Sequence, residues 1–149
     1  MQLIDLLTAD DVVFGIREAD IGTAAATLLR TTLPRHGIEP AETERLVQAV
    51  LARERETPTL CGAIAIPHAR DARVAEFLVA IAINRDGVTQ FAGAPRVLIA
   101  FLSPEARRAK HLDLLARLAR LSRDNAAITA IAAATTAEAV LEVIRERPR

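Results

Sequence analysis

The chain has 149 residues, about half of them apolar, and its 19 basic and 19 acidic side chains cancel to zero net charge. That length fits one domain with a sizeable core, spanning 1–149. The balanced charge excludes a broad nucleic-acid footprint, and the absence of Trp and Tyr removes stacking platforms for bases.

No apolar run approaches the roughly 18 residues that a membrane span needs. The opening MQLIDLLTADD carries acids where a secretory signal needs a basic segment, so a cytoplasmic protein is expected. The single cysteine, Cys61, has no internal disulfide partner, and no paired-cysteine zinc motif is present. Cys61 is expected to be a small buried apolar residue. No cofactor is expected. All basic residues but Lys110 are arginine, which with as many interspersed acids reads as composition bias.

After a short apolar segment at Leu3–Leu7, Val12-Val13-Phe14 has the β-branched and aromatic character of a strand. Ile21, Ala25, Leu28, Leu29 and Thr32 then recur at three and four residues, which predicts a helix over 22–33 with one buried stripe. Pro34 and the turn Arg35-His36-Gly37 end it. Glu39-Pro40-Ala41-Glu42 opens a second helix, whose inner face is Leu46, Val47, Val50 and Leu51. Thr57-Pro58-Thr59 breaks it.

The alternating run Ala63-Ile64-Ala65-Ile66 predicts a strand that Pro67 terminates, since proline cannot donate to a ladder; His68 is then placed at a strand end, exposed to a ligand or partner. Two short, wholly apolar runs, Phe77–Ile83 and Val97–Leu102, suit central strands covered on both faces. The turns Asn84-Arg85-Asp86-Gly87 and Ala92-Gly93-Ala94-Pro95 lie between them. Ser103-Pro104-Glu105 reads as a helix start, with the helix running to about Ser122 and His111, Leu114, Leu115, Leu118 and Leu121 on its inner face. A further helix covers 125–134. Thr135-Thr136-Ala137-Glu138 matches a capping box before a last helix bearing Val140, Val143, Ile144 and Arg147. Interleaved strands and helices predict an α/β fold, a sheet with helices on both faces.

Of the three histidines, His36 lies in a polar turn and reads as ordinary surface. His68 and His111 meet if the helix after Val97–Leu102 folds back over neighbouring strand ends, where ligands gather in such sheets. The competing reading makes His111 a core histidine bonded to backbone. Two imidazoles with a guanidinium suit a phosphoryl group: His68 as nucleophile, His111 as hydrogen-bond donor and an arginine neutralising charge. Arg53, Arg55 and Arg70 are the arginine candidates. A metal hydrolase built on the two histidines lacks a third ligand and any HExxH motif.

The run RERETPTLCGAIAIPHAR, then VLIAFLSP, then HLDLLARLARL, resembles the IIA component of the bacterial phosphoenolpyruvate-dependent phosphotransferase system, of the fructose, mannitol and nitrogen-regulatory type. The likeness spans nearly the whole chain. It implies a single compact three-layer α/β/α domain with a mixed central sheet. It further implies that His68 is phosphorylated by the phosphocarrier protein HPr or a paralogue, that His111 is the second active-site histidine and that Arg53 is the site arginine. The segment from Arg53 to His68 is one residue shorter than in many relatives, which keeps Arg55 as the alternative. Gly62-Ala63 stands where the family usually carries asparagine-glycine. Because the chain ends at Arg149 without a IIB domain, a nitrogen-type regulatory role is expected first. The alternatives are a sugar-specific IIA that passes phosphate to a separate IIB, or an unphosphorylated module that regulates target proteins by contact.

Overall fold

In a computed structural model, residues 2–18, 20–84 and 95–147 are described. Most of the two turns expected between Asn84 and Pro95 lies outside them.

Strand β1 (Val12–Phe14) leads to helix α1 (Ile21–Thr32), whose N-terminus is capped by the Asp20 carboxylate accepting from Thr23 N–H at 2.7 Å. A short 3-10 turn ends at Gly37, whose φ of 78° is the left-handed conformation that glycine adopts without strain. Helix α2 (Pro40–Glu56) has proline in its first turn and buries Leu46, Val47 and Val50, with Leu51 half-buried. Strands β2 (Leu60–Cys61), β3 (Ile64–Ala65), β4 (His68–Asp71), β5 (Leu78–Ile83) and β6 (Val97–Pro104) follow. Helices α3 (Arg108–Ser122), α4 (Asn125–Ala133) and α5 (Ala137–Arg145) complete the order.

The sheet runs β1-β5-β6-β3-β2, with β4 also on β6. It is mixed: β1 is parallel to β5, β5 antiparallel to β6, and β3 and β4 both parallel to β6. Side chains alternate between two cores, as the pleat requires. Val79, Ile81, Ile83, Val97, Ile99 and Phe101 face the side covered by α3, α4 and α5. Ala80, Ala82, Leu98, Ala100 and Leu102 face α1 and α2, and their mostly small side chains allow those helices to lie close. A mixed sheet between two helical layers is the expected fold.

Four expectations are corrected. Pro67 interrupts hydrogen bonding but does not end the strand: Ile64 pairs with Val97 and His68 with Phe101, one unbroken register along β6. The proline loses a donor only, and its carbonyl still accepts Phe101 N–H at 3.1 Å. His68 therefore begins a strand segment rather than standing beyond a strand's end.

Ser103-Pro104 is likewise no helix start. Pairing of Ser103 with Arg70 and of Pro104 with Asp71 holds both residues extended, and α3 begins at Arg108 without a side-chain cap. At α5, Thr136 caps the helix by accepting from Ala139 N–H at 3.1 Å, so Glu138 falls one place early for the expected box. Cys61 is half-buried at the sheet's edge, with its sulfur 3.3 Å from the Ser122 hydroxyl, because β2 pairs on one side only.

Candidate functional site

The register of β4 on β6 builds the site. Residues 64, 66, 68 and 70 share the face occupied by Ile99, Phe101 and Ser103, and α3 closes over that face. His68 is paired with Phe101 across the ladder, and its ring stacks on the phenyl at 4.8 Å between centroids, with 5° between planes. His111, in the first turn of α3, reaches down to the same phenyl at 5.4 Å and stands 5.4 Å from His68, tilted by 55°. Both imidazoles are buried, 5% and 6% exposed, and both line a cavity of about 530 Å³. Arg53, Arg70, Arg108 and Glu56 also line it, with Ala49, Ala52, Leu112 and Leu115 as apolar wall.

His68 Nδ1 lies 2.7 Å from the Ile66 carbonyl. A carbonyl only accepts, so Nδ1 carries the proton and the lone pair of the neutral ring resides on Nε2. His111 Nδ1 is 2.5 Å from Ser103 Oγ. That bond explains why Ser103 caps no helix, and it ties the start of α3 to the end of β6.

Burial is the largest influence on His68 and pushes its pKa down; the Ile66 carbonyl raises it, the charge of Arg53 lowers it and that of Glu54 raises it, with a lowered net result. His111 is pushed to about 4, by burial first and then by the positive field of His68, Arg70, Arg53 and Arg108. Both rings are neutral at pH 7. Phosphoryl acceptance is therefore expected to hold level through neutral pH and to decline only in acid, with its midpoint below 6.5. A pH profile of the labelling rate with a midpoint at 7 or above contradicts this. Because both rings bind protons more readily when unfolded, stability is expected to drop as pH falls from 6.5 toward about 4.

The structure thus brings together His68, His111 and Arg53, with Arg70 alongside. Arg55 is exposed and is not among the lining residues. His36 is exposed and stands apart, its Nε2 2.5 Å from the buried carboxylate of Asp11. Among the described residues no group of three or more His, Cys, Asp and Glu is placed to hold a metal. Reading the sequence alone did not find Phe101, Ser103 or Arg108. The first two follow from strand alternation once β4 and β6 are known to be parallel neighbours.

Residues 5–147 match the model of the family described as phosphoenolpyruvate-dependent sugar phosphotransferase system, EIIA 2. The chain belongs to this family. No curated protein matches the sequence. Among solved structures, this EIIA 2 chain is similar to IIA mannitol from Escherichia coli, at 27% identity with a TM-score of 0.77, covering 93% of this chain and 98% of that one. It is similar also to enzyme IIA of the mannitol system in complex with phosphorylated enzyme IIB from Escherichia coli, at 25% identity and a TM-score of 0.76, covering 95% and 98%. The nitrogen regulatory protein IIA-Ntr from Neisseria meningitidis shares the fold, with a TM-score of 0.76 over 95% and 98% of the two chains at 22% identity. No helix among the described residues is long and apolar enough to cross a membrane.

Proposed function

We propose that this EIIA 2 protein is a phosphoryl carrier whose acceptor is Nε2 of His68, charged by phosphohistidine on HPr or a paralogue of it, in the cytoplasm. The observation that carries the reading is the bond from His68 Nδ1–H to the Ile66 carbonyl, which leaves one nucleophilic nitrogen inside a pocket lined by arginines.

In the transfer, the Nε2 lone pair forms a bond to phosphorus while the N–P bond of the donor breaks, and the donor imidazole keeps that electron pair. Positive charge builds on the His68 ring, and the Ile66 carbonyl stabilises it through Nδ1–H. His111 presents Nε2–H to a phosphoryl oxygen when Ser103 donates to its Nδ1. Arg53 offsets part of the charge on the equatorial oxygens. The stacked Phe101 face and the wall of Ala49, Ala52 and Leu115 limit water around the bond being made.

Downstream, a nitrogen-type regulatory output is the first reading drawn from the sequence. A second, transfer to a separate IIB, is favoured by the 27% identity to IIA mannitol. Incubation with phosphoenolpyruvate, enzyme I and HPr tests the carrier function: acid-labile phosphate on the protein is expected. Failure to label while a verified family member labels alongside overturns it. Loss of that label on addition of a IIB protein favours the second reading over the first.

A further inference from the structure

Glu54 is 9% exposed at the C-terminal end of α2, where Arg53 and Arg55 flank it in sequence. Its carboxylate turns to the loop after the helix. Thr59 N–H donates to Oε2 at 2.7 Å and to Oε1 at 3.3 Å, and the Thr59 hydroxyl donates to Oε1 as well. Thr59 then passes the constraint on: its carbonyl accepts Ile66 N–H at 3.2 Å. Ile66 in turn offers its carbonyl to His68 Nδ1 at 2.7 Å. Two residues, Thr59 and Ile66, thus separate a buried carboxylate from an imidazole tautomer, each linked to the next by hydrogen bonding.

The constraint acts where the sheet provides none. Ladder pairing of β3 stops at Ala65 and resumes at His68, because Pro67 has no N–H to give. Across that gap the Pro67 carbonyl is held by Phe101 N–H and the Ile66 N–H by Thr59. These two bonds fix the planes on either side of the Ile66 carbonyl, and hence the direction in which it points.

We infer that Glu54 is a positioning residue: through Thr59 and Ile66 it aims the carbonyl that holds the proton on His68 Nδ1, and so decides which ring nitrogen faces the pocket. This rests on the reading of His68 as the phosphoryl acceptor. Glu54 acts on the ring in a second way, since its negative charge opposes that of Arg53 and draws the His68 pKa upward. A carboxylate that only stapled a helix end to a loop would have neither effect on the imidazole.

The test uses the full 15N-labelled chain as wild type, Glu54→Gln and Glu54→Ala. Imidazole proton-nitrogen correlation spectra are recorded across pH, and phosphorylation by phosphoramidate, a small chemical donor, is timed. Wild type is expected to show the proton on Nδ1 of His68. Glu54→Gln keeps an oxygen for Thr59 N–H, so the tautomer is retained, but loss of the charge moves the His68 midpoint to lower pH. Glu54→Ala is expected to populate both tautomers and to accept phosphate about tenfold more slowly at neutral pH, the size of effect that misplacing a reacting group produces. Both variants with the wild-type tautomer and midpoint overturn the inference. If Glu54→Ala does not fold, an unchanged midpoint in Glu54→Gln overturns it alone. Wild type that holds the Nδ1 proton yet takes no phosphate from phosphoramidate or from HPr removes the acceptor reading and leaves the tautomer control by Glu54 standing.

Discussion

Replacing His68 by alanine is expected to abolish phosphate uptake while the protein stays folded. No substitute nucleophile is ready in the pocket. His111 shares it, but burial first, and then the positive charge of His68 and the nearby arginines, push its pKa to about 4, and a nitrogen of such low basicity is a weak nucleophile. The Ile66 carbonyl is left without its donor, at a cost of about 1–3 kcal/mol, and Phe101 and His111 lose the ring packed beside them. A margin of roughly 5–15 kcal/mol absorbs that. Circular dichroism should therefore match wild type. His111→Ala is expected to keep labelling measurable but about a hundredfold slower, the loss typical of one donor to developing charge. Full labelling of His68→Ala places the acceptor elsewhere.

Phe101→Ala is expected to carry the largest stability cost, about 3–5 kcal/mol, as for other buried phenylalanines truncated to alanine. Phe101 is fully buried and sits under both imidazoles while packing into the core beneath α3, α4 and α5. Its removal opens a void on the sheet side of the site, and the His68 ring loses the surface it stacks on. Urea unfolding should show the midpoint fall with little change in slope. Phosphate uptake should fall too, because the ring can then tip away from its pocket. A loss below about 1 kcal/mol would mean that the core refills the space, contrary to the close packing expected of an interior.

The layers of this fold are legible in the sequence because they are written as local periodicity. Ile21, Ala25, Leu28 and Leu29 recur with the helix period, and Val97–Leu102 is apolar throughout, as a strand covered on both faces must be. The errors fall where a distant partner overrides a local signal. Ser103-Pro104 has the chemistry of a helix cap, yet its pairing with Arg70 and Asp71 keeps it in β6, and Ser103 bonds His111 instead. Pro67 has the chemistry of a strand stop, yet at a sheet edge its missing donor costs one bond and the register continues. His68 and His111 could be named from their positions after a strand and on a helix face. Phe101 could not, since what marks it is the parallel pairing of β4 and β6, which leaves no trace in either segment alone. Glu54 carried a signal that went unused: a hydroxyl residue five places on, past a Thr-Pro break, is within reach of a carboxylate at a helix end.

The nitrogen that bears the phosphate is the most direct measurement. Nitrogen-edited NMR of the labelled protein should show the phosphorus bonded to Nε2 of His68, with the proton still on Nδ1 opposite the Ile66 carbonyl. Phosphate on Nδ1 of His68, or on His111 or His36, would contradict it.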